Sequence, residues 1–150
     1  MICNYYQKVK TAEFLSQQLV GKIIRLTAQE LGLKNDFSVT VLLVDDKKIR
    51  TLNKQYRQKD KVTDVLSFSA WEGMQLPKVE QNNYLGEIFI CYPQVKRQAE
   101  QFDQTIKQEF CLLLIHGFLH LWGYDDQTQK DYQQMKKIQD KIFSKIYDKI

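Results

Sequence analysis

The chain has 150 residues, 43% apolar and 27% charged, and a formal net charge of +4 at pH 7. That suits one folded soluble domain over residues 1–150 and excludes a disordered or fibrous chain. The longest wholly apolar run, Phe110 to Ile115, is far short of the ~20 residues that span a bilayer, and no basic segment followed by an apolar stretch opens the chain. Cys3, Cys91 and Cys111 are widely spaced and odd in number, so they form no disulfide framework. The expectation is a cytoplasmic protein with no membrane partner.

A first helix is expected from about Ala12 to Leu31, capped by Thr11 and stopped by Gly32. Phe14, Leu15, Leu19, Ile23, Leu26 and Leu31 recur there at near-helical spacing. The stretch before it carries no specific motif. Phe37 to Val44 is short and rich in β-branched residues, which predicts a buried strand. Asp45 or Asp46 can then cap a helix with Ile49, Leu52 and Tyr56 on one side. Residues 47–61 hold Lys47, Lys48, Arg50, Lys54, Arg57, Lys59 and Lys61 against the single acid Asp60. Such a segment suits either a solvated face or a track for a phosphate backbone.

Val65 to Ala70 reads as a strand, Trp71 to Asn83 as a surface loop, and Gly86 to Tyr92 as another strand. Pro93 stands where a short helix can begin. A longer helix follows from about Gln104 to Trp122, with Gly123 as its stop. Thr128 and Asp131 resemble a capping box for a last helix reaching about Asp148, with Met135, Ile138, Ile142 and Ile146 as its buried stripe. The sum is an α+β (mixed α/β) domain, with a three- or four-stranded sheet packed with about five helices.

The chain's two histidines, His116 and His120, lie four residues apart in the long helix. That spacing brings both imidazoles to one face, ~6 Å apart along the axis, where they can grip one metal ion as in zincin-like helices. Leu112 to Ile115, Phe118, Leu119 and Leu121 put the pair at the edge of a core. Gly123 lets the chain turn back, and Asp125 or Asp126 can then face the same ion. Glu109 lies seven residues before His116, ~10 Å along the axis, too far to ligate but placed to orient substrate or a water. A metalloprotease is excluded, because the zincin general base would stand at Gly117, which has no side chain.

The segment His116 to Asp126 (HGFLHLWGYDD) resembles the YbeY family signature H-G-x-L-H-L-x-G-Y-D-H, matching every position that pattern fixes before its last. Asn53 to Phe68 (NKQYRQKDKVTDVLSF) is similar to the family's N-x-x-x-R-x-x-D-x-x-T-D-V-L-S-F stretch, and Leu85-Gly86-Glu87-Ile88 to its L-G-D-I strand. Gln98-Ala99 and Glu109 fall where the family often has Q-A and E. The resemblance covers roughly residues 35–145. It implies a single-domain, zinc-dependent endoribonuclease of the bacterial cytoplasm, acting on single-stranded RNA in rRNA maturation and ribosome quality control. Its implied partners are rRNA and the small ribosomal subunit, with no DNA.

By position, the family's three histidine ligands fall on His116, His120 and Asp126, and its functional arginine on Arg57. Lys59 and Lys61 are implied to hold RNA, and Thr63, Asp64, Ser67 and Glu109 to border the substrate. Trp71 is either a loop anchor or a base-stacking platform. Asp126 replaces the family's last histidine; a carboxylate is a legitimate zinc ligand, and two histidines with one carboxylate also suit manganese or iron. The alternative is a ribosome- or RNA-binding module with a degenerate metal site.

Overall fold

The protein is described here from a computed structural model covering residues 1–34, 36–70 and 83–150. In chain order its elements are β1 (Ile2–Gln7), α1 (Gln17–Glu30), β2 (Ser38–Val44), α2 (Asp46–Arg57), β3 (Val65–Ser69), β4 (Tyr84–Cys91), α3 (Tyr92–Gln101), α4 (Ile106–Leu121) and α5 (Gln129–Ile146), closed by a 3₁₀ turn at Tyr147–Lys149. The four strands lie in the order β1-β2-β4-β3; β1, β2 and β4 run parallel, and β3 is the antiparallel edge strand beside β4. The mixed α+β domain with five helices is the architecture expected. Most of the loop expected at Trp71 to Asn83, including Trp71, lies outside the described residues.

Alternation along the strands gives the sheet two unequal faces. Val39, Val41, Leu43, Ile88 and Ile90 are fully buried in the main core with α1 and α4. On the opposite face Val44, Leu66 and Cys91 pack under Ile49 and Leu52 of α2, a smaller core. Asp45 caps α2 by accepting from the Lys48 N–H, at 2.8 Å. Tyr56, expected on the buried side of that helix, is 50% exposed.

Two expectations at the N-terminal end need correction. Residues 2–7 form an edge strand that the sequence did not signal, because Ile2 and Tyr6 face outward and only Cys3 and Tyr5 pack against the core. The first helix starts at Gln17, not Ala12. Ser16 is the cap, accepting from the Leu19 N–H, while the Tyr5 hydroxyl and the Gln7 amide both bind the Leu15 carbonyl and hold that segment against β1. Phe14, placed by periodicity on a buried stripe, is 45% exposed.

The helix that carries the histidines is the centre of the core. Phe110, Cys111, Leu114, Ile115, Phe118 and Leu119 are all fully buried, so α4 is apolar on nearly every side. Thr105 and Gln108 form a reciprocal capping box at its start. At the start of α5 only half of the expected box forms, Thr128 accepting from the Asp131 N–H. Burial pushes the Cys3 thiol up to about 11 and those of Cys91 and Cys111 to about 12, so the three free cysteines stay protonated and inert.

Gly117 sets how closely α4 approaches the sheet. A Cβ at that position would stand 2.7 Å from Ile88 Cγ2 and 3.2 Å from both Ser67 Oγ and Val65 Cγ2. The Ser67 hydroxyl donates to the Gly117 carbonyl at 2.9 Å, pinning the helix to β3 at the same point. Gly117→Ala is therefore expected to lower stability by about 1–3 kcal/mol through overpacking. Thermal denaturation checks this; an unchanged melting temperature would show that the helix has room to move.

Candidate metal centre

The end of α4 is built to return the chain toward its own histidines. Trp122 is the C-cap and Gly123 follows with φ +107°, a conformation that disfavours a side chain. The Gly123 N–H reaches the His120 carbonyl and the Tyr124 N–H the Leu119 carbonyl, the paired bonds of a Schellman turn. Tyr124 packs against the main core behind the turn. Asp125 then accepts from the N–H groups of Asp126 and Gln127, at 2.7 and 3.2 Å. Its carboxylate is thus spent on the turn, and Asp126 is the acid that reaches the imidazoles.

Three donor atoms converge. His116 Nε2 and His120 Nε2 are 3.1 Å apart, and Asp126 Oδ2 lies 3.3 Å from the second and 3.6 Å from the first. Ligands bonded at ~2.0–2.1 Å in tetrahedral array stand about 3.3–3.4 Å from one another, so these three atoms mark one face of such a tetrahedron. Among the described residues, His116, His120 and Asp126 form the group suited to hold a metal.

The partners of the other two ring nitrogens agree with ligation. His120 Nδ1 is 3.0 Å from the Tyr124 carbonyl, which can only accept, so the proton sits on Nδ1 and Nε2 presents its lone pair. His116 Nδ1 pairs with Gln139 Oε1 at 2.8 Å, which assigns the same tautomer to the second ring. Burial, with the neighbouring His120, holds His116 below the usual imidazole range and favours the neutral form that ligates. The carboxylate completes a donor set of two imidazoles and one oxygen, and His116 and Asp126 also line the adjoining cleft. The residues present fit a divalent cation.

That cleft, about 840 Å³ in volume, is lined by His116 and Asp126 at one end and by Asp64, Gln98 and Glu109 farther along. Sequence position suggested that Glu109 borders the substrate. It does line the cleft, yet it is only 5% exposed, accepting from Gln98 Nε2 at 2.9 Å; burial pushes its carboxyl up, and the Gln98 amide partly offsets this. Asp64 is fixed by the Val65 N–H at 2.7 Å and by Gln98 at 3.3 Å. Gln98 and Gln139, which join these groups across helices, were not singled out as site residues by sequence. The match of Gln98-Ala99 to the family's Q-A pair was the one signal for the first; the partner of Gln139 is remote in the chain, and no spacing marks it.

The other expected site residues lie elsewhere. Ser67 spends its hydroxyl on Gly117, as described. Arg57, Lys59 and Lys61 are not among the residues lining the cleft. Arg57 sits over the Phe68 ring at 4.8 Å and donates to the Ser67 carbonyl at 2.9 Å, on the edge strand whose Ser67 holds the metal helix. Lys59 and Lys61 are exposed on the turn after α2, which Asn53 secures by donating to the Lys61 carbonyl. A separate depression of about 820 Å³ runs along basic α2, between Asp46 and Val62, away from the imidazoles.

The chain is similar to known proteins over nearly its whole length. The family model for Endoribonuclease YbeY matches residues 1–147. An Endoribonuclease YbeY from Desulforamulus reducens is 35% identical over 147 residues, covering 97% of this chain and 95% of that protein. One from a Sulfurihydrogenibium species is 40% identical over 146 residues, covering 94% and 87%. The solution structure of TM1509 from Thermotoga maritima matches with a TM-score of 0.59 and 28% identity, covering 99% of this chain and 93% of that one.

Removing a bond that orients a ligand should weaken metal retention without unfolding the helix. Gln139→Leu is expected to lower zinc affinity by about 10–100-fold. Competition against a chromophoric chelator measures it, and unchanged affinity would show that His116 needs no such support.

Proposed function

Because this chain belongs to the YbeY endoribonuclease family, we propose that it cleaves single-stranded RNA at the centre formed by His116, His120 and Asp126. The observation that carries this reading is the convergence of those three donor atoms beside an open cleft. Zinc is the cation proposed, with manganese and iron suited to the same donors. We further propose that the substrates are rRNA precursors, met in the cytoplasm on or near the small ribosomal subunit. The mild basic excess supports an anionic polymer as partner. Among the described residues no helix is long and apolar enough to cross a membrane.

When bound, the cation supplies Lewis acidity at a phosphoryl oxygen and a more acidic water. His116 and His120 would hold it as neutral donors, each with its other ring nitrogen anchored. Asp126 brings a negative charge, so a divalent ion here keeps a net charge near +1 rather than the +2 of a three-histidine set. That difference makes a weaker Lewis acid. The planar fork of Arg57 is suited to pair with phosphate oxygens of the bound strand. Its anchoring to the Ser67 carbonyl ties that contact to the strand that seats the metal helix. Lys59 and Lys61, exposed on the following turn, would hold the backbone beyond it.

The experiment is incubation of the pure protein with single-stranded RNA, with zinc or with chelator. Cleavage is expected with metal, and loss of it with chelator or in His116→Ala; cleavage that survives both would remove the centre from the reaction. Arg57→Ala should keep its metal and lose about tenfold or more in kcat/KM, the scale of a lost charged hydrogen bond. Loss of metal along with turnover would make Arg57 a structural residue instead. Asp126→His should retain zinc more tightly, as read by elemental analysis after dialysis, and equal retention would mean that Asp126 is no ligand.

A further inference from the structure

Beyond the three ligands, the cleft is lined in a way that metal binding does not require. Among the described residues few large apolar side chains stand out in solvent, and two of them line this cleft: Phe102 at 55% exposure and Tyr132 at 49%. Phe102 closes α3 and Tyr132 stands in the first turns of α5, so separate elements bring the two rings to one cavity. Exposed aromatic rings in a groove that holds single-stranded nucleic acid are the usual stacking surfaces for bases.

The polar groups that line this cavity include several acceptors beside one cation, Lys136, which is paired with Asp140 at 3.2 Å. Gln98 Nε2 donates to both Glu109 Oε1 and Asp64 Oδ2. Its amide cannot turn over freely, because Gln98 Oε1 accepts from Gln94 Nε2 at 3.1 Å, and Gln94 Oε1 in turn accepts from Arg97 Nε at 2.7 Å. Both amide protons of Gln98 are thereby committed. In the carboxylate form the second Glu109 oxygen remains as an acceptor. Gln104, which lines the same cavity, holds a buried Oε1 with no hydrogen-bond partner. A buried acceptor without a donor is costly, and a donor arriving through the cleft would satisfy it.

We propose that this part of the cleft is a nucleobase subsite that takes a base bearing an exocyclic amine (adenine, cytosine or guanine) in preference to uracil. The inference rests on the RNA-cleaving reading above and names the substrate feature that the cleft selects. An amine offers a donor to the acceptor oxygens of Glu109 and Gln104, whereas the pairing edge of uracil presents two carbonyl oxygens around one N–H. Glu109 lies seven residues before His116, ~10 Å along the helix, so the base held there belongs to a nucleotide flanking the scissile bond.

The test is the binding of 5′-labelled oligocytidylate and oligouridylate of equal length, read by fluorescence anisotropy in chelator so that no strand is cut. kcat/KM on the same strands with zinc is the second readout. The cytidine strand should bind at least about fivefold more tightly. Glu109→Gln, which replaces an acceptor with a donor, should bring the ratio near one, with circular dichroism confirming that the variant is folded. Phe102→Ala and Tyr132→Ala, at exposed positions, should each weaken both strands by about tenfold. Equal affinity in the wild type, a preference that survives Glu109→Gln, neutral aromatic truncations, or no measurable binding of either strand would each overturn the subsite. Cleavage without base preference removes the subsite and leaves the ribonuclease reading intact. Base preference in binding without cleavage of either strand does the reverse.

Discussion

Two imidazole nitrogens that both present lone pairs meet 3.1 Å apart, and a carboxylate oxygen faces them from the opposite side. Electron-rich atoms so placed repel one another unless a cation lies among them. Protonating a ring instead would place an imidazolium in a half-buried site, against the burial that already favours neutral His116. The hydrogen bonds from Nδ1 to Tyr124 and Gln139 hold the rings in this opposed arrangement. The cluster is therefore arranged to suit a metal ion.

Each layer of the fold contributes to it. A helix apolar on nearly every side is seated deep in the core, so His116 and His120 stand on a rigid support. Gly117, between them, brings that helix close to the edge strand. The Schellman turn reverses the chain in a few residues, and the side chain of Asp125 stiffens the reversal so that Asp126 arrives at bonding range. The last helix then covers the site and supplies Gln139. These contacts join elements distant in sequence, which is why the centre belongs to the whole domain and not to a local motif.

Much of this was legible from residues. The i, i+4 histidine pair, the apolar run around it and the glycine stop already fixed a metal-holding face on a core helix, and the helices and three of the strands follow periodicity and caps. Asp125 and Asp126 could not be told apart by spacing; the hydrogen bonds of the turn distinguish them. The N-terminal strand escaped notice because only alternate residues of it are even half-buried, on an edge where the outward side chains are as large as the inward ones. Ser16 prevailed over Thr11 as a cap because β1, itself unseen, holds the preceding segment out of the helix. Glu109 could be placed near the substrate from its position in the helix, but its burial depends on Gln98 from a different helix and was not visible in the sequence.

The chain departs from the signature it resembles at one ligand, and the central claim turns on that residue. Crystals grown with zinc and measured at the zinc absorption edge test it most directly. The account predicts one anomalous peak at ~2.0–2.2 Å from Nε2 of His116, Nε2 of His120 and Oδ2 of Asp126. No peak between the rings, or a peak with the Asp126 carboxylate turned away to solvent, would contradict it.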